Sequence, residues 1–197
     1  NNYTEANGIV FQYNHLGPLR SGCDGNNLKD RSASTVVRYN WIEGGNRQLD
    51  LVDSSHLSSE DGYFTTFVYG NVLVEHEGEG NSQIIHYGGD SGDTSLYRKG
   101  TLHLYNNTIV STRTGNTTLV RLSSAGETAD VRNNIILVTA EGSRLAMSNA
   151  DGTVDLRNNW MKTGCQDSHS MLIGEVNDLG GNITGDAPGF EDLDAQD

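Results

Sequence analysis

The chain has 197 residues, with 26 Asp and Glu against 13 Lys and Arg and a net charge of −13. That balance excludes a general nucleic-acid binder, which needs clustered cations for phosphate, and no stretch is long and apolar enough to cross a membrane. Apolar residues are only 35% of the chain, with 24 Gly and 2 Pro, so any core must be narrow and assembled from short patterned runs.

The predicted elements, in chain order, are variations on one motif. The runs GIVFQYN, STVVRYN, TTFVYGN, TLHLYNN, TADVRNN, TVDLRNN and DLGGN end at Asn14, Asn40, Asn71, Asn107, Asn134, Asn159 and Asn182. They recur at roughly 25-residue intervals, as in a solenoid whose longer coils carry loops. Asn tolerates the left-handed backbone of a sharp turn, so each of these residues is expected to take that conformation and to stack into an amide ladder.

Alternation sorts the runs into faces. Three residues before each Asn stand Phe11, Val37, Val68, Leu104, Val131 and Leu156; five before stand Ile9, Thr35, Thr66, Leu102, Ala129 and Val154. Both columns are predicted to point inward, joined two residues after the Asn by Leu16, Ile42, Leu73, Ile109, Ile136 and Met161. The opposite face then carries Gln12, Arg38, Tyr69, Tyr105, Arg132 and Arg157. A third strand is predicted after Gly-Asn or Gly-Ser pairs, in GGNRQLDLV, GEGNSQIIHY, RTGNTTLVRL and EGSRLAMS, with a weaker version in DGNNLKDRS. Cys23 and Cys165 fall about five coils apart, or roughly 24 Å at the strand spacing. A disulfide spans only about 5.5 Å between Cα atoms, so both are expected as free thiols.

Three short strands per coil and a ladder Asn resemble the right-handed parallel β-helix of pectate-lyase-like proteins. The implied fold is all-β, a single-stranded right-handed parallel β-helix of about six to seven coils, with residues 1–197 as one domain cut from a longer β-helix. The tail GGNITGDAPGFEDLDAQD resembles the closing segment of bacterial secreted β-helix proteins. The resemblance therefore implies a bacterial protein that is secreted or held at the cell surface or in the periplasm. Neither end shows an amphipathic capping helix, so self-association or a partner chain is expected at the open coil ends.

A more local similarity joins NNLKDRSASTVVRYNWIEGG to the alginate-lyase and chondroitinase-B family. That family places a Lys-Ser pair before a Tyr-Asn and uses the Lys as base. Here Arg31 and Ser32 stand at that position before Tyr39 and Asn40, and no Arg occurs near Leu51, Val52 and Asp53, where the family has its second catalytic group.

The implied activity is that of a carbohydrate-active protein, a polysaccharide lyase cleaving an acidic glycan by β-elimination. The alternative is a non-catalytic module that binds carbohydrate or serves as an assembly surface. Aligning the Gly-Asn starts stacks Arg31, Leu51, His86 and Arg121 in one column, which would place Arg31, His86 and Arg121 together as catalytic candidates. The two arginines would neutralise a uronate carboxylate and His86 would act as base. Arg38, Tyr69, Tyr87 and Tyr105 are the candidate substrate-binding residues. Asp53 and Asp90 are candidate oxygen donors for Ca²⁺. The cleft is expected beside the long loops of residues 74–99.

Overall fold

The computed structural model describes residues 3–191. The chain winds as a right-handed parallel β-helix with three sheets. The first sheet has seven strands: Val10–Gln12, Val36–Arg38, Thr65–Tyr69, Gly100–Tyr105, Glu127–Arg132, Thr153–Arg157 and Glu175–Asp178. The second also has seven: His15–Leu16, Trp41–Glu43, Val72–Glu75, Thr108–Ser111, Ile135–Val138, Trp160–Lys162 and Ile183–Gly185. The third has five: Leu28–Asp30, Leu49–Leu51, Gln83–Tyr87, Thr117–Leu122 and Leu145–Ala150. Strands in each sheet follow one another in chain order, so each coil contributes one strand per sheet and pairs in parallel with the next.

The turn between the first two sheets explains the Asn motif. From Asn40 onward each ladder Asn offers its Oδ1 to both the backbone N–H and the side-chain amide of the Asn one coil earlier. Asn71 thus donates to Asn107 twice, at 3.0 Å from each nitrogen, and Asn107 repeats this on Asn134. The chain of amides runs unbroken from Asn14 to Asn182. From Asn40 onward each Nδ2 also donates back to a strand carbonyl of the preceding coil, as Asn107 does to Val68 O at 3.0 Å. Buried backbone acceptors at the corner are satisfied in this way.

The left-handed residue is not the ladder Asn but its predecessor. Tyr13, Tyr39, Asn106, Asn133 and Asn158 have φ between 55° and 58°, and Gly70 and Gly181 occupy the same place at 66° and 72°. The ladder residue must keep an ordinary backbone because its side chain points inward, where the amide stack is. The sharp reversal is displaced to the residue whose side chain is free to turn out. Asn and Gly take this conformation readily, whereas Tyr does so at a cost. At Gly70 a Cβ would also lie 2.7 Å from the Tyr39 ring, so the glycine serves both the turn and the packing.

The predicted inward columns are the core. Thr35, Thr66, Leu102, Ala129 and Val154 are fully buried, as are Val37, Val68, Leu104 and Val131, and Ile42, Leu73, Ile109, Ile136 and Met161 close the opposite wall. Side chains of the third sheet, Leu49, Leu51, Ile85, Leu119 and Leu122 among them, complete the cluster. Cys23 and Cys165 are free thiols, as the coil separation requires. The last described coil leaves Met171, Ile173, Leu179 and Ile183 exposed. The expected tail segment runs past residue 191, and its end lies outside the described residues.

Two insertions build upon the third sheet. One, residues 52–64, contains the 3₁₀ turn Asp61–Phe64. The other, residues 88–99, is pinned at its far end by Arg98. That side chain is wholly buried, donating to Thr66 Oγ1 at 3.1 Å and Val52 O at 3.3 Å, with Asp30 at 3.5 Å. A buried arginine is tolerable only when so surrounded, and here it fixes the loop across the outer face of the third sheet.

Candidate functional site

Under that loop lies an open cleft of about 460 Å³, lined by Asn26, Lys29, Arg47, Asp50, His86, Gly89, Asp90, Gly92, Tyr97 and Arg121. Strand register generates it. Lys29 pairs with Asp50, Asp50 with His86, His86 with Arg121, and Arg121 with Asn149. Five consecutive coils therefore project polar side chains from one outward column, while their neighbours Leu49, Leu51 and Leu122 point into the core.

This register corrects the column expected from sequence. Leu51 pairs with Asp30 and Tyr87, so Asp50, not Leu51, sits beside His86. The Gly-Asn pairs lie in turns of unequal length, so counting from them slips the strands. Arg31 falls outside the His86 column; its guanidinium donates to Asp90 Oδ1 at 2.7 Å and contacts Asp53 Oδ1 at 3.3 Å. His86 and Arg121 are adjacent, as expected.

Tyr87 is corrected as well. It follows His86 on the strand, so alternation turns it inward, where it is completely buried in the core and has no face for a ligand. Tyr69 and Tyr105 do stand outside, on the first sheet, but their faces are occupied. The two rings stack on each other at 4.9 Å and 10°, and Arg132 covers Tyr105 at 4.6 Å. Arg38 donates to Tyr69 Oη at 3.0 Å and to Gln12 Oε1 at 2.9 Å. These residues form a stabilising cross-coil stack on a different sheet from the cleft.

The acidic candidates are engaged by cations. Asp53 Oδ1 accepts the Asp90 N–H at 2.8 Å besides facing Arg31, and Asp90 bonds both Lys29 and Arg31. Burial works to raise the Asp90 carboxyl, but Lys29 and Arg31 outweigh it and hold it down at about 2. Among the described residues no three His, Cys, Asp or Glu side chains converge to hold a metal ion. A Ca²⁺ ion at Asp53 and Asp90 would meet a guanidinium and an ammonium, so this donor set does not fit it.

Within the cleft the charges are ordered. Asp50 is buried, yet it stays ionised: burial opposes this, and the bonds from His86 and Lys29 prevail. Lys29 Nζ lies 2.8 Å from Asp50 Oδ2, and Asn26 Nδ2 donates to the same oxygen at 2.5 Å. His86 bridges Asp50 and Ser123, which follows the third-sheet strand Thr117–Leu122, with Nδ1 2.8 Å from Asp50 Oδ1 and Nε2 2.8 Å from Ser123 Oγ. Arg47 and Arg121 form the opposing wall. Burial, augmented by the nearby Arg121 charge, lowers the Arg47 pKa despite Asp50. The Nε atoms of both arginines are buried without a hydrogen-bond partner among the described residues. Arg47, Tyr97 and Ser123 went unremarked in the sequence. The available signal for Arg47 and Ser123 was their place beside the column, visible only once the register is known.

Compared with protein-family models, curated proteins and solved structures, the chain matches none. The fold defines the class on its own terms: a parallel β-helix, whose architecture and polar cleft are consistent with a carbohydrate-binding or carbohydrate-active module.

Proposed function

We propose that the cleft on the third sheet binds an acidic glycan, seating a sugar carboxylate against Arg47 and Arg121. The observation that carries this is the pair of like-charged guanidiniums lining one cleft, with Arg121 near enough to lower the Arg47 pKa and Arg47 bonded at 2.8 Å to the neutral Gln83 amide oxygen rather than to a carboxylate. Two close cations are unfavourable until an anion joins them, and a guanidinium offers a carboxylate a planar, two-pronged donor set. Lys29 and Arg31 are already matched by Asp50, Asp53 and Asp90, which leaves the arginine wall as the anion site of an otherwise acidic protein. The polymer would meet the protein outside the cytoplasm, in a secreted, periplasmic or cell-surface setting in a bacterium.

The same arrangement supports a lyase in part. β-Elimination needs the carboxylate neutralised and a base at the α-carbon. The arginines provide the first. His86 is in place for the second only if its bond to Ser123 opens, since both ring nitrogens are engaged.

The experiment is affinity electrophoresis of the wild-type protein and Arg121→Ala in gels containing alginate, pectate, chondroitin or a neutral glucan. The same panel is followed, with and without Ca²⁺, by ultraviolet absorbance of unsaturated products. The wild type is retarded by at least one polyuronate and not by the neutral gel, and Arg121→Ala weakens that binding roughly tenfold or more at unchanged thermal stability. Equal migration of wild type and variant in every acidic gel defeats the proposal. An unsaturated product assigns the lyase; binding without product assigns the module.

A further inference from the structure

Seating a sugar carboxylate on Arg47 and Arg121 does not engage a connected set of groups beside them. Asp50, His86 and Ser123 are linked end to end, each step at 2.8 Å, across three adjacent coils. Asp50 and His86 are buried, and Ser123 above them is only half-buried. We infer that these three side chains form an acyl-transfer relay, with Ser123 as nucleophile toward a carboxylic ester.

The chemistry follows from the bonds. Asp50 is held as a carboxylate by Lys29 and Asn26, so it accepts a hydrogen bond from His86 Nδ1–H and fixes that tautomer. Nε2 then carries the lone pair and faces the Ser123 hydroxyl. That is the geometry by which a histidine draws a proton from a serine while a carboxylate steadies the imidazolium. Asp50 acts through His86 and is a positioning residue. Space for the serine comes from Gly88: a Cβ there would lie 2.6 Å from Ser123 Cβ, and its φ of +133° is one that L side chains rarely adopt. The Gly89 N–H points at Ser123 Oγ from 3.1 Å, and Arg121 precedes Ser123 by two residues on the same outward side of the strand. Both are donors next to the nucleophilic oxygen, on the side where the acyl oxygen of a bound ester would take up charge.

In the first half-reaction Ser123 Oγ bonds to the acyl carbon as its proton passes to His86 Nε2. The C–O bond to the alcohol breaks, and the alcohol leaves with that proton. In the second, water gives a proton to Nε2 and attacks the acyl-serine, and Ser123 leaves with the proton restored, releasing the carboxylic acid. No redox partner or further reactant is required. An acylated acidic sugar is the substrate class if the arginine wall binds a sugar carboxylate. That extension rests on the glycan proposal; the relay itself does not.

The probes are p-nitrophenyl acetate and a fluorophosphonate reagent, applied to the full chain. The wild type hydrolyses the ester with saturation, and peptide mapping finds the phosphonate on Ser123. Ser123→Ala lowers turnover by roughly 10³-fold and abolishes labelling, and Asp50→Asn lowers kcat with little change in KM. The competing role for Ser123 is to pin the loop, because its Oγ also bonds Gly89 N and O at 3.1 Å. Under that role wild-type Ser123 takes no label and ester hydrolysis stays at the solution rate, which overturns the inference without any variant having to fold. Retarded migration in acidic gels together with an unlabelled Ser123 sinks the relay and spares the glycan site; labelling without retardation does the reverse.

Discussion

Glu75 is wholly buried at the end of its second-sheet strand, where Gln48 Nε2 donates to it at 2.6 Å and Arg113 Nη1 at 3.0 Å. Burial pushes its carboxyl up, the two donors pull it back, and it titrates at about 7 against 4.5 for the free group. A carboxyl raised by folding binds its proton more tightly in the native state. Its contribution to stability is therefore full below about 4.5 and is lost as pH rises through about 7, a swing on the order of 3 kcal/mol. Glu75→Gln removes that ionisation. Urea titrations at a series of pH values should show the variant more stable than wild type at pH values above the native titration and nearly equal to it in acid. A variant that tracks the wild-type pH dependence throughout would place the titration elsewhere.

At the scale of an element, the corner between the first two sheets is the unit that repeats. Its cost is one left-handed residue per coil, offset by an amide that bonds in both directions along the axis. Asn107 donates to Val68 O, Tyr105 O and Asn134 Oδ1, and accepts from two nitrogens of Asn71. Asn107→Ala strands these partners in a buried place and should cost about 3 kcal/mol or more. Asn14, in the first described coil, is exposed and accepts no ladder amide among the described residues. Asn14→Ala should cost less than about 1 kcal/mol. Chemical denaturation of the two variants checks the contrast; equal losses would mean that the ladder is not cooperative along the axis. The third sheet shows the opposite economy. Its strands bury one face and cover much of the other with the 88–99 insertion, so the ordinary in-out alternation there becomes core on one side and cleft on the other.

For the whole molecule, the core is a single narrow column, and a fault in one coil is felt by those on either side. Leu104 lies between Val68 and Val131 in the first sheet and is fully buried. Leu104→Asp puts an unpaired carboxylate in that column and should abolish the folded state. Circular dichroism and soluble yield measure this directly, and a well-folded Leu104→Asp protein would overturn the inward register. Charge is also organised globally. Lys29, Arg47 and Arg121 line one cleft together with Asp50 and Asp90, and Arg31 reaches its rim through Asp90.

Repetition is what made the fold legible. The Asn period, the inward columns through Val68, Leu104 and Val131, and the separation of the cysteines all depend on local alternation and on identical units stacking at one spacing. Such information lies along the chain and survives an irregular period. The corner conformation was misplaced by one residue, because which of two adjacent residues turns out is settled by the inward pull of the amide stack. The site needed the tertiary structure. Loops of unequal length make strand register invisible to counting, and a slip of one residue exchanges Leu51 for Asp50 beside His86 and turns Tyr87 from a surface group into a core one. Ser123 and Arg47 acquire meaning only from neighbours about 37 residues away along the solenoid, brought within bonding distance by the lateral pairing of coils.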